Sequence, residues 1–150
     1  VPVLVVSAGC SNVIEAFLEA RGLLRPNVRV CSNRLVWNVA GDGAVCAATP
    51  APPVTSRSKD QTHARNAAWL AAHAHRRSLL VLGDRCTDLH VAAGVPHDTR
   101  LGFGFFNSPG DGDSDAEGVD SYPAACYDAV VTGNAAPCDL LPEPIAQMTA

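Results

Sequence analysis

The chain has 150 residues, 47% of them hydrophobic and 17% charged, which suits one globular domain with a real core. Its net charge is -4 and its isoelectric point about 5.6, with no basic stripe, so binding to nucleic-acid phosphates is not expected. No apolar run approaches the ~18 residues of a membrane span and the start is not a signal peptide, so no membrane partner is expected either.

The chain opens without Met on a hydrophobic run, VPVLVVS, and a core strand at residue 1 suggests a piece of a longer protein. Residues 3–6 (VLVV) are apolar throughout, as in a parallel strand buried on both faces. SAGCSN then turns the chain. Residues 12–21 read as a helix with Val13, Ile14, Phe17 and Leu18 on one face and Gly22 as its stop. NVRVCSN is a second strand. RLVWNVAGDGAVCAA reads as a hairpin turning at Gly-Asp-Gly, and TPAPPVT as a Pro-rich loop.

Residues 59–76 carry the clearest helical pattern. Ser58 and Gln61 form an S-x-x-Q capping box, and Ala64, Ala67, Ala68, Ala71 and Ala74 form a small-residue face suited to lie on a sheet. LLVL (79–82) is the next buried strand, followed by a short helix at 86–93. LGFGFFN (101–107) is another strand, SPGDGDSDAEGVDS an acidic loop, and YDAVVTGN the last strand before a Pro-rich tail. Strands alternating with helices imply an α/β fold with a parallel, doubly wound sheet, whose ligands bind at the carboxyl ends of strands.

Three polar features fall at that edge. Ser7 ends the first strand, with Ala8 and Gly9 after it, a turn whose N–H groups and hydroxyl can hold a phosphate oxygen. Taken alone, a turn or cap serine is the simpler reading. Lys59 sits in a first helical turn, where the helix dipole disfavours a cation by roughly 0.3–1 kcal/mol unless an anion is bound nearby. An exposed lysine is the equal alternative. Asp84 ends the strand LLVLG, and Asp88 follows four residues later. Mg²⁺ takes hard oxygen ligands and is often held by one or two carboxylates plus substrate phosphate. Asp84 suits a direct or water-mediated ligand, and Asp88 suits orienting that shell or pairing with Lys59. A helix cap and a surface charge are the plain alternatives.

The six cysteines (10, 31, 46, 86, 126, 138) show no CxxC or metal spacing. They are expected as reduced thiols of an intracellular protein, several of them buried. DGDSDAEGVDSY resembles a calcium loop, but its sixth position is Ala116 and its twelfth Tyr122, so a solvated loop is expected. The five histidines are scattered and suggest no metal site.

The order Ser, Lys, Asp…Asp resembles the later motifs of the haloacid-dehalogenase-like phosphohydrolases. More closely, VPVLVVSAG, PNVRVCSN, SKDQTHARN, LGDRCTDLHVAAGV and YDAVV are similar to the carboxyl-terminal half of the cytosolic pyrimidine 5′-nucleotidase (type III) family, from residue 1 to about 131. The resemblance implies a three-layer Rossmann-like core with a mainly parallel sheet over 1–135 and a Pro-rich tail over 136–150. It implies that Ser7, Ala8, Gly9 and Lys59 bind the phosphoryl group, with Lys59 also neutralising the aspartyl-phosphate intermediate. Asp84 would bind Mg²⁺, and Asp88 would support the metal or the lysine as a catalytic group. These residue types suit phosphoryl transfer, which is mostly positioning and charge stabilisation.

The departures matter too. The nucleophile motif DxDxT is absent; D-x-D occurs only in DGDSD (111–115), not after a buried strand. In the family that motif ends a central strand lying between the strands of Ser7 and Asp84, and it would precede residue 1, as would the helical cap that reads the base. The core is therefore expected to be incomplete, its open edges filled by the amino-terminal half of the same protein or by another chain. The segment between Gly43 and Ser58 is also richer in Pro and Ala than the family pattern.

The expected function is the carboxyl-terminal half of a cytoplasmic, Mg²⁺-dependent 5′-nucleotidase acting on nucleoside 5′-monophosphates, pyrimidine ones first, and inactive alone. The rival is a catalytically dead structural subunit of a larger assembly, in an organelle such as the mitochondrion; a related phosphatase, such as a phosphoserine phosphatase, is a third option.

Overall fold

A computed structural model describes residues 1–37, 45–49, 52–106 and 126–132. The chain divides into two compact units, Val1–His73 and Ala74–Ala150. The expected Gly-Asp-Gly turn, the calcium-like loop at 111–122 and the Pro-rich tail lie outside the described residues.

In the first unit, β1 (Val3–Cys10) runs parallel to β2 (Val28–Trp37), and β3 (Val45–Thr49) pairs antiparallel with β2, so the expected hairpin forms. Helix α1 (Ser11–Ala20) connects β1 to β2. It stops as the sequence implies: Gly22 adopts φ +64°, Leu23 N–H reaches the Leu18 carbonyl at 2.8 Å and Gly22 N–H the Glu19 carbonyl at 2.9 Å. This closure needs a left-handed residue, which glycine supplies without steric cost.

Two expectations are corrected here. β1 is not buried on both faces: Val3 is 43% exposed, and Leu4, Val5 and Val6 are only half-buried. Among the described residues β1 is an edge strand, with β2 on one side only. On α1, Ile14 and Leu18 turn partly inward, but Val13 and Phe17 are 68% and 55% exposed.

The expected long helix at 59–76 is also corrected. It is broken into a 3-10 turn (Lys59–Gln61), α2 (Thr62–Arg65) and α3 (Ala67–Ala72). Asn66 is the cause. Only 2% exposed, it turns its Nδ2 back onto the Thr62 carbonyl (2.8 Å) and accepts the Arg29 Nε–H on Oδ1 (2.6 Å). An Asn that bonds the carbonyl four residues back competes with the helix's own ladder. The inward residues of this stretch are consequently Thr62 and Asn66, and the alanines at 64, 67, 68, 71 and 74 are exposed. Nor does the capping box form: Ser58 Oγ faces back up the chain and accepts the Thr55 N–H at 2.9 Å.

In the second unit, β4 (Ser78–Gly83), β5 (Thr99–Phe106) and β6 (Ala129–Thr132) form an all-parallel sheet in that order. The expected helix after β4 is a 3-10 helix, Cys86–Ala92. Val81, Leu89, Ala92 and Tyr127 make the buried centre, with Leu79, Val91, Cys126 and Val130 against it. Among the described residues β4 is an edge strand, and its Leu82 is 47% exposed. Each candidate loop thus belongs to an edge strand of its own sheet, β1 in one case and β4 in the other.

Candidate functional site

The loop carrying Ser7 grows out of an irregularity in β1. Regular parallel pairing with β2 runs from Val3 to Val6 and resumes only at Cys10, so Ser7, Ala8 and Gly9 bow out of the ladder. Ser7 lies at the carboxyl end of the paired segment, within the strand rather than beyond it. Its Oγ accepts the Gly9 N–H at 3.0 Å, and the hydroxyl proton can still turn to another acceptor. β2 fixes the bulge from behind. Ser32 Oγ donates to the Gly9 carbonyl at 2.6 Å, and Asn33 Nδ2 donates to the Ala8 carbonyl at 2.8 Å. Asn33 also pairs with Val54, donating to its carbonyl and accepting its N–H, both at 2.8 Å. These two β2 residues support the Ser7 loop, and spacing alone does not single them out. They lie in the middle of β2, which runs on to Trp37, past the expected strand NVRVCSN.

α1 starts directly behind this loop. The Ser11 hydroxyl at its first residue is buried and, among the described residues, has no hydrogen-bond partner. Lys59 opens the 3-10 turn that packs against β1, in the same unit as Ser7, and is half-buried. Because only a single turn and a four-residue helix follow it, the dipole acting on Lys59 is weaker than a long helix would exert. Its case as an anion partner therefore rests on position rather than on the dipole.

Asp84 and Asp88 belong to the second unit. Asp84 follows the last residue of β4 and is exposed, and among the described residues its carboxylate shows no hydrogen bond or ion pair. Asp88 differs sharply. It is 6% exposed, and its Oδ2 accepts the N–H groups of Asp84 (3.1 Å) and Arg85 (3.2 Å). Here one acid shapes the loop that presents the other. The helix N-cap is Arg85, so the cap function weighed for Asp84 falls one residue later.

Two further residues tighten this loop. The Tyr127 hydroxyl donates to the Arg85 carbonyl at 2.7 Å. Gly83 has no room for a side chain, since a Cβ there would lie 2.5 Å from the Tyr127 hydroxyl and 2.6 Å from Asp88 Oδ2. In the sequence Tyr127 reads only as part of the last strand, whereas β6 begins at Ala129. No local spacing could have linked it to Arg85, 42 residues away.

The reduced-thiol expectation is corrected at the same place. Cys86 and Cys126 form a disulfide with Cα atoms 5.7 Å apart, while Cys10 and Cys31 are free. The parallel sheet brings the residue before Tyr127 to the start of the Cys86 helix, a proximity that a 40-residue separation hides.

For Mg²⁺, the donor set offers one free hard-oxygen ligand, the Asp84 carboxylate, on a loop held in place by Asp88. Among the described residues there is no group of three His, Cys, Asp or Glu side chains able to hold a metal. The residues fit an ion that this chain holds through one carboxylate and that takes its remaining ligands from substrate, water and other segments.

Comparison with known proteins fits this arrangement. Residues 1–136 match the pyrimidine 5′-nucleotidase (UMPH-1) family. A 7-methylguanosine phosphate-specific 5′-nucleotidase of Gallus gallus is 31% identical over 108 residues, covering 71% of this chain and 36% of the relative. Its counterpart in Drosophila melanogaster is 32% identical over 109 residues, 70% of this chain and 33% of that one. The crystal structure of cytosolic 5′-nucleotidase IIIB bound to cytidine superposes with a TM-score of 0.72 at 24% identity, over 99% of this chain and 48% of that chain. The chain thus spans about a third of the curated relatives it matches. The fold is the mixed α/β, haloacid-dehalogenase-like one with parallel sheets and an incomplete core, and the chain belongs to the pyrimidine 5′-nucleotidase family.

Proposed function

We propose that this chain is the carboxyl-terminal part of a Mg²⁺-dependent 5′-nucleotidase that releases phosphate from nucleoside 5′-monophosphates. The family match over residues 1–136 carries the reading. Two built loops at the carboxyl ends of β1 and β4 support it. The amino-terminal half, on the same polypeptide or as a separate chain, supplies the attacking aspartate.

In this reading Ser7 and the Ala8–Gly9 backbone bind the transferred phosphoryl group. Lys59 neutralises its charge as the P–O5′ bond breaks and the aspartyl-phosphate forms, and again as water attacks phosphorus. Asp84 holds Mg²⁺, which when bound neutralises phosphate oxygens and orients the phosphoryl group. Asp88 holds Asp84 in place through the two loop N–H groups, a positioning role rather than a direct ligand.

Pyrimidine monophosphates are the first candidates, from the family description. The names of the curated relatives add 7-methylguanosine monophosphate. The name of the structural relative supports a cytosolic setting, and no helix of the described residues is long and apolar enough to cross a membrane.

The test is phosphate release by the chain joined to its amino-terminal half, offered UMP, CMP and 7-methylguanosine monophosphate. Release that requires Mg²⁺ is expected from at least one. Silence across all three, with the protein folded, would leave the structural-subunit reading standing instead.

A further inference from the structure

We propose that Cys86 and Cys126 are a reversible redox latch on the Asp84 loop, set by a small-molecule disulfide such as glutathione disulfide. The latch rests on geometry and on the cytosolic setting proposed above; its effect on metal binding rests also on the role proposed for Asp84.

The geometry is specific. Cys86 is the first residue of the 3-10 helix whose N-terminal loop carries Asp84, and Cys126 directly precedes Tyr127. The segment 126–127 therefore grips the loop twice, by the disulfide to Cys86 and by the Tyr127 hydroxyl on the Arg85 carbonyl. Immediately before these grips lie the Asp84 and Arg85 N–H groups, which donate to Asp88. Both cysteines are half-buried, whereas the Asp88 and Tyr127 side chains are buried.

A disulfide so placed is reversible in a reducing compartment, where persistent structural disulfides are rare and those that form are mostly catalytic or sensing. The exchange balances. One cysteine sulfur displaces glutathione from glutathione disulfide to give a mixed disulfide, and the other displaces the second glutathione. Two thiol protons leave with the two glutathione molecules. The two cysteines are oxidised, and the glutathione disulfide is reduced. The closed latch is the state described here. Opening it removes the covalent grip and leaves the loop to the Tyr127 and Asp88 hydrogen bonds.

The test uses the full-length protein equilibrated in glutathione buffers from reducing to oxidising. Mapping of alkylated peptides should show Cys86 and Cys126 converting together; both remaining alkylatable in strongly oxidising buffer would overturn the latch. Hydrogen exchange then reads the loop without any variant. On reduction, the Asp84 and Arg85 amides should exchange about tenfold faster. Cys126→Ser should match the reduced protein under oxidising conditions. Equal exchange in both states would also overturn the proposal.

If the nucleotidase reading holds, the Mg²⁺ concentration for half-maximal phosphate release should rise about tenfold on reduction. An unchanged Mg²⁺ requirement beside altered exchange would refute the coupling to the metal. No phosphate release in either state, with the exchange difference present, would sink the nucleotidase reading and leave the latch supported.

Discussion

The two units bury different chemistry. Among the described residues, the buried side chains of the first include Ser11, Ser32, Thr62 and Asn66, with Cys31 and Val54 as their apolar company. In the second they are Val81, Leu89, Ala92, Phe103, Tyr127 and Val131, with Asp88 as the polar member. The loops differ to match. The Ser7 loop is held through its carbonyls, by Ser32 and Asn33, and contributes a hydroxyl in the unit that also carries Lys59. The Asp84 loop is held through two N–H groups by the buried Asp88 carboxylate and through the Arg85 carbonyl by Tyr127, and contributes the Asp84 carboxylate. The first loop keeps a hydroxyl donor to offer, which suits an anion. The second keeps a carboxylate acceptor, which suits a cation. The contrast also makes the first unit the more dependent on further chain. Its apolar side chains Val3, Val13, Phe17 and Val36 are exposed, whereas the second unit already encloses an apolar centre.

Breaking the loops one at a time tests this division, using the chain joined to its amino-terminal half. Asp84→Asn should have the largest effect, about a 100–1000-fold loss of kcat with a raised Mg²⁺ requirement and little change in thermal stability. A stopped assay over a Mg²⁺ series checks it. A comparable loss of stability would mean that Asp84 is structural.

Asp88→Ala should act mainly through the fold. It strips the acceptor from two loop N–H groups and should cost about 1–3 kcal/mol in urea unfolding. Activity should fall as the Asp84 loop loosens, and extra Mg²⁺ should restore part of it. Ser7→Ala should be milder, about a tenfold loss in kcat/KM, expressed chiefly in substrate affinity and without a shift in Mg²⁺ dependence. A shift in Mg²⁺ dependence there would erase the donor-against-acceptor distinction.

The smallest effect concerns Asp98, which pairs with Arg77 at the opposite end of β4 from Asp84, at 2.6 Å. The hydrogen bond from Arg77 holds the Asp98 carboxyl below its ordinary value, and charge attraction adds to this. A depressed folded value means that the pair stabilises above the unfolded carboxylate range and that this is lost as pH falls through the folded value. Both groups are exposed, so the contribution is small and screened by salt. Asp98→Asn should slightly flatten the acid limb of a melting-temperature profile and leave Mg²⁺ dependence untouched. It is the control for an acid of the same unit but outside the site.

Much of the fold was legible because it is written locally. VLVV and LLVL mark β1 and β4 by composition, Gly22 marks the helix stop, and Gly83-Asp84 marks a strand end facing a loop. The stretch 59–76 misled because alanine spacing outweighed one residue. Asn66 takes the Thr62 carbonyl and the Arg29 guanidinium, and its side chain decides where the helix breaks and which face turns inward. Site residues were legible as types at strand ends, but not their supports. Asn33, Ser32 and Tyr127 act across strand pairings, and the Cys86–Cys126 bond joins segments that only the parallel sheet brings together. Asp88 was legible as a partner of Asp84; that it acts through backbone N–H groups required the loop's geometry.

The central claim is that residues 1–150 bring phosphate and metal ligands to a reaction whose attacking carboxylate lies elsewhere. Mapping the phosphoryl group tests it most directly. The joined protein is turned over on UMP, CMP or 7-methylguanosine monophosphate, quenched in acid and digested, and its acyl-phosphate peptide is located by mass. The adduct is predicted on an aspartate outside residues 1–150. An adduct on Asp84 or Asp88 would contradict the claim.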